Sequence, residues 1–144
     1  MKYDRIRNTR EDHDLTQREL SEILKVKRST YAMWELGDVH IPIEKLQELA
    51  DYYHVSMQYL VGLTNNKTET VDKTKVTKEL LGTILKAKRL EHNLTQMQVA
   101  VHLGINQSAY AYYEYGQAQI SIDKLCQLAN LYKTTIDALC GRSK

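Results

Sequence analysis

The sequence predicts an all-α protein built from two tandem copies of a five-helix domain. Apolar residues recur at helical spacing and show no alternating strand pattern. The chain also repeats itself at an offset of 79 residues, because 20 of the 58 positions between Arg5 and Gly62 are identical to the positions 79 residues later. Since this period exceeds that of stacked solenoid repeats, each copy is expected to be a domain of its own.

Each copy is expected to contain five helices. In the first copy they cover residues 3–12, 16–24, 28–36, 43–53 and 56–62, and the second copy repeats the last four over 95–103, 107–115, 122–132 and 135–141. The second helix of each copy begins with a capping box, Thr16 with Glu19 and Thr95 with Gln98. Gly37 and Gly116 suit the left-handed caps that end the third helices.

The two copies are joined by a polar segment over residues 64–76, which divides the chain into domains 1–63 and 77–144. This segment is rich in Thr and Lys and poor in branched apolar residues, which is typical of a flexible linker. Alternatively, its second half extends the next helix backwards from Thr77, because Val76, Leu80 and Ile84 keep helical spacing. A linker of this length could place the two copies on adjacent turns of one DNA duplex.

Composition argues against several classes of protein. The chain has 144 residues, of which 42% are hydrophobic and 26% charged, with a formal net charge of +2. No apolar run reaches the roughly 18 residues of a membrane span, and the N-terminus lacks a signal-peptide pattern. Cys126 and Cys140 are too few for a disulfide framework and are expected to pack as reduced thiols, with redox sensing as the alternative. We therefore expect a cytoplasmic protein.

The sequence contains no pattern that predicts catalysis. The five histidines form no cluster with metal-ligand spacing, and no glycine-rich phosphate loop or nucleophile elbow is present. The carboxylates lie among other helix charges rather than in an apolar context. We expect no enzyme activity, no metal and no cofactor.

The second and third helices of each copy form a helix-turn-helix unit. The second helix, here called the brace helix, supports the third, here called the recognition helix, which can enter a major groove. Here the sequence resembles the Cro/phage-repressor (XRE-type) helix-turn-helix family. The resemblance rests on residues 15–17, Ser29-x-Tyr31, 34–37 and 46–50, and in the second copy on residues 94–96, 104–105, Ser108-x-Tyr110, 113–116 and 125–129. It implies two lambda-repressor-like DNA-binding domains, usually those of a bacterial or phage transcription regulator.

The family pattern also implies two ion pairs, and the first copy departs from this pattern at one turn position. It pairs an arginine of the first helix with the glutamate that ends the third, which corresponds to Arg10 with Glu35 and to Arg89 with Glu114. It favours glycine at the turn position that Lys25 occupies in the first copy, a change that costs about 1 kcal/mol if the backbone there is left-handed.

The two helix-turn-helix units differ in local charge. Residues 16–38 of the first copy contain four Lys or Arg residues, whereas residues 95–117 contain none. In the first copy Arg28 suits a bidentate contact to guanine, Lys27 a phosphate and Met33 a thymine methyl group. In the second copy Gln107 suits adenine. The predicted DNA contacts are Gln17, Lys27, Arg28, Ser29, Thr30 and Met33 in the first copy, and Gln96, Asn106, Gln107, Ser108 and Tyr112 in the second.

Two functions follow from these observations. The favoured one is a sequence-specific, double-stranded-DNA-binding transcription regulator acting as a repressor, with recognition helices 28–36 and 107–115. The alternative is a protein-interaction module, such as an antitoxin or a phage-type inhibitor. In that alternative Tyr112 and Tyr115 of the second copy are expected to face a protein partner or a second chain.

Overall fold

The computed structural model describes residues 3–67 and 74–142. Within them the chain forms ten helices and no strand, which confirms the all-α fold class. Contacts divide the chain into two compact units, Met1–Thr70 and Val71–Lys144. The helices of the first unit are α1 (Asp4–Asp12), α2 (Gln17–Leu24), α3 (Arg28–Leu36), α4 (Ile43–Tyr53) and α5 (Met57–Leu60). Those of the second are α6 (Lys78–Glu91), α7 (Gln96–Leu103), α8 (Gln107–Glu114), α9 (Ile122–Leu131) and α10 (Ile136–Leu139).

The same residue positions fill the interior of both units. Each unit has a core of fully buried side chains drawn from four of its helices, and these positions match across the repeat. In the first unit they are Leu20, Tyr31, Leu46, Leu49 and Leu60, and in the second they are Val99, Tyr110, Leu125, Leu128 and Leu139, all 0% exposed. Burial of this apolar surface stabilises each unit, since single helices of four to fourteen residues are at best marginal in water.

The brace helices α2 and α7 begin with the predicted capping boxes. The hydroxyl of Thr16 accepts from the backbone amide of Glu19 at 3.0 Å, and the carboxylate of Glu19 accepts from the amide of Thr16 at the same distance. Thr95 and Gln98 make the equivalent pair at 3.1 and 2.8 Å. Both capping predictions are confirmed, and each box satisfies two amides at a helix start.

Several helix boundaries and one core prediction are corrected. α6 begins at Lys78 with Thr77 as its N-cap, and residues 74–76 are not helical, so the backward extension of this helix is wrong. α8 ends at Glu114, one residue before the predicted end of the recognition helix. Tyr113, expected in the core, is only half-buried, unlike its counterpart Trp34. The phenol hydroxyl needs a hydrogen-bond partner, and at a half-buried position solvent can supply one.

The chain at both ends of the predicted linker is held by its own unit. Arg5 donates to the carbonyl of Thr64, and Arg142 donates to the carbonyl of Thr74. Val76 is 1% exposed. Residues 68–73 of the predicted linker lie outside the described residues, and the limits of the domains at 63 and 77 stay predictions.

Both cysteines are free thiols, Cys140 buried and Cys126 half-buried. Burial raises the pKa of the Cys126 thiol to about 11 and also raises that of Cys140, so both are protonated at neutral pH. Over the described parts of the chain, none of the helices combines the length and apolar character needed to cross a membrane.

Candidate nucleic-acid interface

Tight turns of one backbone type join the brace helices to the recognition helices. α2 ends at Lys25, whose φ of 59° lies in the left-handed region, and α7 ends at Gly104 with φ of 72°. Lys25 therefore adopts the conformation that the family assigns to glycine. After the turn, Asn106 caps α8 by accepting from the amide of Ala109 at 2.8 Å, whereas Lys27 makes no side-chain cap for α3.

A buried ion pair links the first helix of each unit to the end of the recognition helix. In the first unit, Arg10 Nε lies 2.7 Å from Glu35 Oε2 and its Nη2 lies 3.1 Å from Glu35 Oε1. Arg10 also donates to the carbonyl of Leu15 at 2.8 Å. Because a bidentate pair fixes both distance and orientation, it positions α3 against α1 and the start of α2.

The second unit repeats this pair with nearly the same distances. Arg89 Nε lies 2.7 Å from Glu114 Oε2, and its Nη2 lies 3.0 Å from Glu114 Oε1. Arg89 donates to the carbonyl of Leu94 at 3.0 Å. The structure thus contains both ion pairs that the family pattern implies.

Each buried glutamate also accepts from a glutamine at the start of the brace helix. Gln17 Nε2 donates to Glu35 Oε1 at 3.0 Å, and Gln96 Nε2 donates to Glu114 Oε1 at 3.1 Å. Burial alone would raise the pKa of these carboxyl groups, but the hydrogen bonds from arginine and glutamine outweigh it, so both pKa values lie below their ordinary range. The glutamates are therefore ionised at neutral pH.

The first unit presents a cationic groove between the starts of α2 and α3. This open groove of about 540 Å³ is lined by Arg10, Leu15, Thr16, Gln17, Arg18 and Arg28. Within the described part of the chain, neither Arg18 nor Arg28 is paired with a carboxylate, and both are exposed. Two unpaired guanidinium groups beside a helix N-terminus provide what a phosphate or a base edge needs.

The other predicted contacts of the first unit lie on the outer face of α3 and its turn. Lys27, Arg28 and Ser29 are exposed, Thr30 is half-buried, and Met33 is 37% exposed. Tyr31 and Trp34 are turned into the core, as their spacing predicts. The outward face of α3 is therefore free of the residues that hold the helix in place.

The matched face of the second unit is neutral. Gln107 and Ser108 are exposed, and Tyr112 is 51% exposed. Gln107 Nε2 donates to Gln96 Oε1 at 3.4 Å, so its amide is linked through Gln96 to the buried Glu114. Where the first unit has Arg18 and Arg28, the second has Met97 and Gln107. This face can offer hydrogen bonds and apolar contact, but no formal positive charge.

Sequence reasoning missed Arg18 as a candidate contact. Its place beside Arg28 depends on how α2 crosses α3, which spacing along one helix does not reveal. The available signal was the repeat itself, because Arg18 is matched by the apolar and exposed Met97 in the other copy.

Among the residues that the structure describes, no group of three or more His, Cys, Asp or Glu side chains could hold a metal ion.

Comparison with known proteins finds one family twice along the chain. The helix-turn-helix family model HTH_3 matches residues 6–60 and again residues 85–139. Together the two matches cover 110 of the 144 residues, since each spans 55. Each match runs from the first helix of a unit to its last and so contains both the brace helix and the recognition helix of that unit.

Several similar proteins carry regulator names. The chain is 36% identical over 69 residues to the "Uncharacterized HTH-type transcriptional regulator YobD" of Bacillus subtilis, covering 48% of this chain and 62% of that protein. It is 43% identical over 56 residues to the HTH-type transcriptional regulator AnsR of the same organism, covering 39% of this chain and 48% of that one. It is 38% identical over 50 residues to the cryptic phage CTXphi transcriptional repressor RstR of Vibrio cholerae, covering 35% and 45%.

These alignments span about half to three fifths of the relatives' own lengths. Among solved structures, a transcriptional regulator from Listeria innocua matches with a TM-score of 0.42 and 31% identity. That match covers 44% of this chain and 60% of that one.

Proposed function

The chain belongs, in both of its units, to the Cro/phage-repressor (XRE-type) helix-turn-helix family, and from this we propose that it is a sequence-specific, double-stranded-DNA-binding transcription regulator. The observation that carries the proposal is the groove of the first unit, where Arg18 and Arg28 are exposed and unpaired within the described residues. A rigid helix with unpaired cations at its start suits a major groove flanked by phosphates.

In the first unit, α3 enters the major groove and reads sequence. Arg28 donates two hydrogen bonds to a guanine edge, and Ser29, Thr30 and Met33 contact neighbouring bases. Lys27 and Arg18 bind phosphates on either side and so set the register without reading sequence. Gln17 keeps one amide hydrogen on Glu35 and has a second one for the DNA backbone.

In the second unit, α8 reads sequence with neutral side chains. Gln107, whose amide is held by Gln96, donates and accepts on an adenine edge. Ser108 contacts a base or a phosphate, Tyr112 contributes apolar contact, and Asn106 holds the helix start. Because this unit offers no phosphate-binding cation at the matched positions, its contribution is mainly specificity.

The proposed direction of regulation is repression, supported by the name of the relative RstR. A protein bound across a promoter excludes other proteins from the same groove. We place this action in the cytoplasm, and we assign the chain no catalytic activity.

Selection from a random duplex DNA pool at physiological salt tests this function, using the full chain. We expect a composite site with two enriched elements. Arg28→Ala should weaken binding to that site by about 1–3 kcal/mol and relax the preference at one base pair. Arg7→Ala is the matched control, because Arg7 is a half-exposed arginine on α1 that pairs with Glu11 of the same helix. No enrichment, or equal binding by the Arg28 variant, would contradict the proposal.

A second candidate function is protein interaction through the second unit. It is favoured by the exposure of two aromatic side chains on or next to α8, Tyr112 at 51% and Tyr115 at 63%. Tyrosine is enriched at protein interfaces, where it buries a large ring and keeps a polar tip. An antitoxin-like or inhibitor-like module, or a homodimer, would use this surface.

The double variant Tyr112→Ala and Tyr115→Ala separates the two functions. If α8 faces a protein, sedimentation should show weaker self-association or partner binding while DNA affinity is unchanged. If α8 reads DNA, the variant should lose affinity for one element of the composite site, and self-association should stay as it was.

A further inference from the structure

A second and smaller cavity lies in the first unit, where the end of α1, the turn after α4, α5 and the chain beyond α5 meet. Its volume is about 200 Å³, and it is more enclosed than the cationic groove beside α2 and α3, with which it shares no lining residue. A cavity of about 150 Å³ is enough to hold a benzene ring, so this one has room for a single ring with one small substituent.

The floor of this cavity is built from buried side chains. The lining residues that are buried are Thr9, Tyr53, Val55 and Tyr59. The hydroxyl of Thr9 donates to the carbonyl of Arg5 at 2.6 Å, and the guanidinium carbon of Arg5 lies 4.3 Å from the centre of the Tyr59 ring. Aromatic and aliphatic side chains that are already held in place suit a flat apolar ligand, because little ordering is needed when it binds.

The rim of the cavity carries more basic groups than acidic ones. The lining residues that are exposed are Asp12, His13, His54 and Lys67. His13 Nδ1 lies 2.8 Å from the carbonyl oxygen of Thr9, and since a carbonyl only accepts, this nitrogen carries the proton and Nε2 remains for another partner. One ammonium group and two imidazoles outnumber one carboxylate, so the rim favours an anionic group. A carboxylate is small enough to fit beside one ring.

The repeat indicates which of these side chains the fold itself needs. The stack of His13 on Tyr53, with ring centres 4.6 Å apart, recurs in the second unit at 4.8 Å. Three other lining residues are not kept, because Thr9, His54 and Tyr59 are matched by Lys88, Lys133 and Ala138. The second unit builds the same core with an alanine in place of Tyr59, so this ring is not required for folding. Its place beside a cavity suggests a role in binding.

We propose that this cavity binds a small aromatic carboxylate, with the ring of the ligand against Tyr53 and Tyr59 and its carboxylate at Lys67. Asp12 opposes the anion and limits the affinity. The inference goes beyond the proposed function and does not depend on DNA binding. For benzoate we expect a dissociation constant of about 0.1–1 mM, the range for a ligand of this size in a partly open cavity.

NMR titration of the full chain with benzoate at pH 7 is the first test, and two probes of similar shape separate ring from charge. Benzamide keeps the ring without the charge, and cyclohexanecarboxylate keeps the charge without the aromatic ring. We expect each to bind at least about threefold more weakly than benzoate. Equal binding of benzamide would overturn the anionic site. No shifts at about ten times the weakest expected dissociation constant would overturn the proposal as a whole.

Three substitutions test the residues assigned to the site. Lys67→Met should weaken benzoate binding about two- to fivefold and leave benzamide binding unchanged, because it removes one exposed charge. Tyr59→Ala should weaken the binding of both aromatic probes about fivefold. Asp12→Asn should tighten benzoate binding about twofold, a change in the direction that damage to the fold would not produce.

Matched controls are Lys86→Met and Tyr115→Ala, because both residues are exposed and belong to the second unit. The Trp34 fluorescence transition in urea checks that each variant of the first unit is folded. If Tyr59→Ala unfolds this unit, the two variants at the exposed positions Lys67 and Asp12 still decide. Wild-type affinity for benzoate in both of these would show that the carboxylate binds elsewhere and would overturn the site. None of these measurements involves DNA, so their failure is distinct from failure of the proposed function.

Discussion

Lys25 adopts a left-handed backbone conformation that is unfavourable for every residue with a side chain. The matching residue of the second copy, Gly104, adopts the same conformation without this cost because it has no side chain. The φ of Lys25 is 59°, and at the matched turn Gly104 has φ of 72° with nothing within 4 Å of where a Cβ would lie. The cost at Lys25 is therefore in the backbone, and not in a clash.

Lys25→Gly should stabilise the first unit by about 0.5–1 kcal/mol, because glycine adopts left-handed φ without a steric penalty. Trp34 is the only tryptophan, so its fluorescence during urea unfolding reports on the first unit alone. The reverse change, Gly104→Lys, should destabilise the second unit by a similar amount in circular dichroism and leave the Trp34 transition in place. A destabilised Lys25→Gly protein would contradict this, because it would show that the lysine side chain contributes more to stability than its left-handed backbone conformation costs.

Glu35 should make the first unit sensitive to acid. Its pKa is lower in the folded protein than in the unfolded chain, so the stabilisation that it gives is complete above the unfolded pKa and is lost as pH falls through the folded pKa. At pH 7, Glu35→Gln should cost about 3 kcal/mol, since it leaves the guanidinium of Arg10 without its charged partner.

The Trp34 unfolding curve at pH 7 and pH 3 checks this prediction. The difference between wild type and Glu35→Gln should shrink at the lower pH, because below the unfolded pKa the carboxyl group of the unfolded chain is protonated and the stabilisation from the folded-state charge is progressively lost. Glu48→Gln is the control, because Glu48 pairs with Lys45 at an exposed site and should change stability by no more than about 0.5 kcal/mol. A constant difference between the two pH values would contradict the role of the Glu35 charge.

At the scale of the helices, the largest difference between the units is the first helix. α6 has 14 residues where α1 has nine, and its extra turns pack against the end of α8. Gly82 makes this possible, because a Cβ there would lie 2.5 Å from the carbonyl oxygen of Tyr113 and 2.6 Å from that of Glu114. The end of the second recognition helix is therefore braced by close backbone contact with α6.

Gly82→Ala should destabilise the second unit by about 1–3 kcal/mol, although alanine is the better helix former. The added methyl group must push α6 away from α8. Thr83→Ala on the same helix is the control, since Thr83 is exposed and this change should be neutral or stabilising. Circular dichroism during urea unfolding measures both, and the Trp34 transition should not move. If Gly82→Ala were as stable as the wild type, the close contact between α6 and α8 at Gly82 would not be what holds α8 in place.

Sequence alone predicted the helices well and the contacts between them poorly. Capping boxes, glycine caps and apolar spacing are local signals, so they located nine of the helices to within a residue or two. The end of α8, the start of α6 and the half-exposure of Tyr113 depend on how α6 packs on α8, which local spacing does not encode. The same holds for Arg18, whose neighbour Arg28 lies on another helix, and for Arg142, whose partner is 68 residues away.

For the whole molecule, the positive charge near the proposed DNA face is concentrated in the first unit. Residues 16–38 carry Arg18, Lys25, Lys27 and Arg28, and residues 95–117 carry no Lys or Arg. Since phosphate neutralisation sets the salt dependence of DNA binding, the first unit should supply most of that dependence.

Exchanging one matched pair of residues tests this division. Arg18→Met should reduce the slope of log affinity against log salt by about 1, with little change in sequence preference. Met97→Arg should raise the slope by about 1 if the start of α7 reaches a phosphate. A slope that neither change alters would place the phosphate contacts elsewhere on the chain.

Gly82 also bears on how two similar neighbours fold without exchanging parts. Adjacent domains of like sequence are prone to misassembly in which an element of one takes the place of its sibling. The residue of the first copy that matches Gly82 is Tyr3, whose ring could not fit where even a methyl group meets the carbonyl oxygens of α8. An exchanged first helix would therefore bring a ring to the place where α8 leaves no room for a methyl group, and this steric conflict disfavours the exchange.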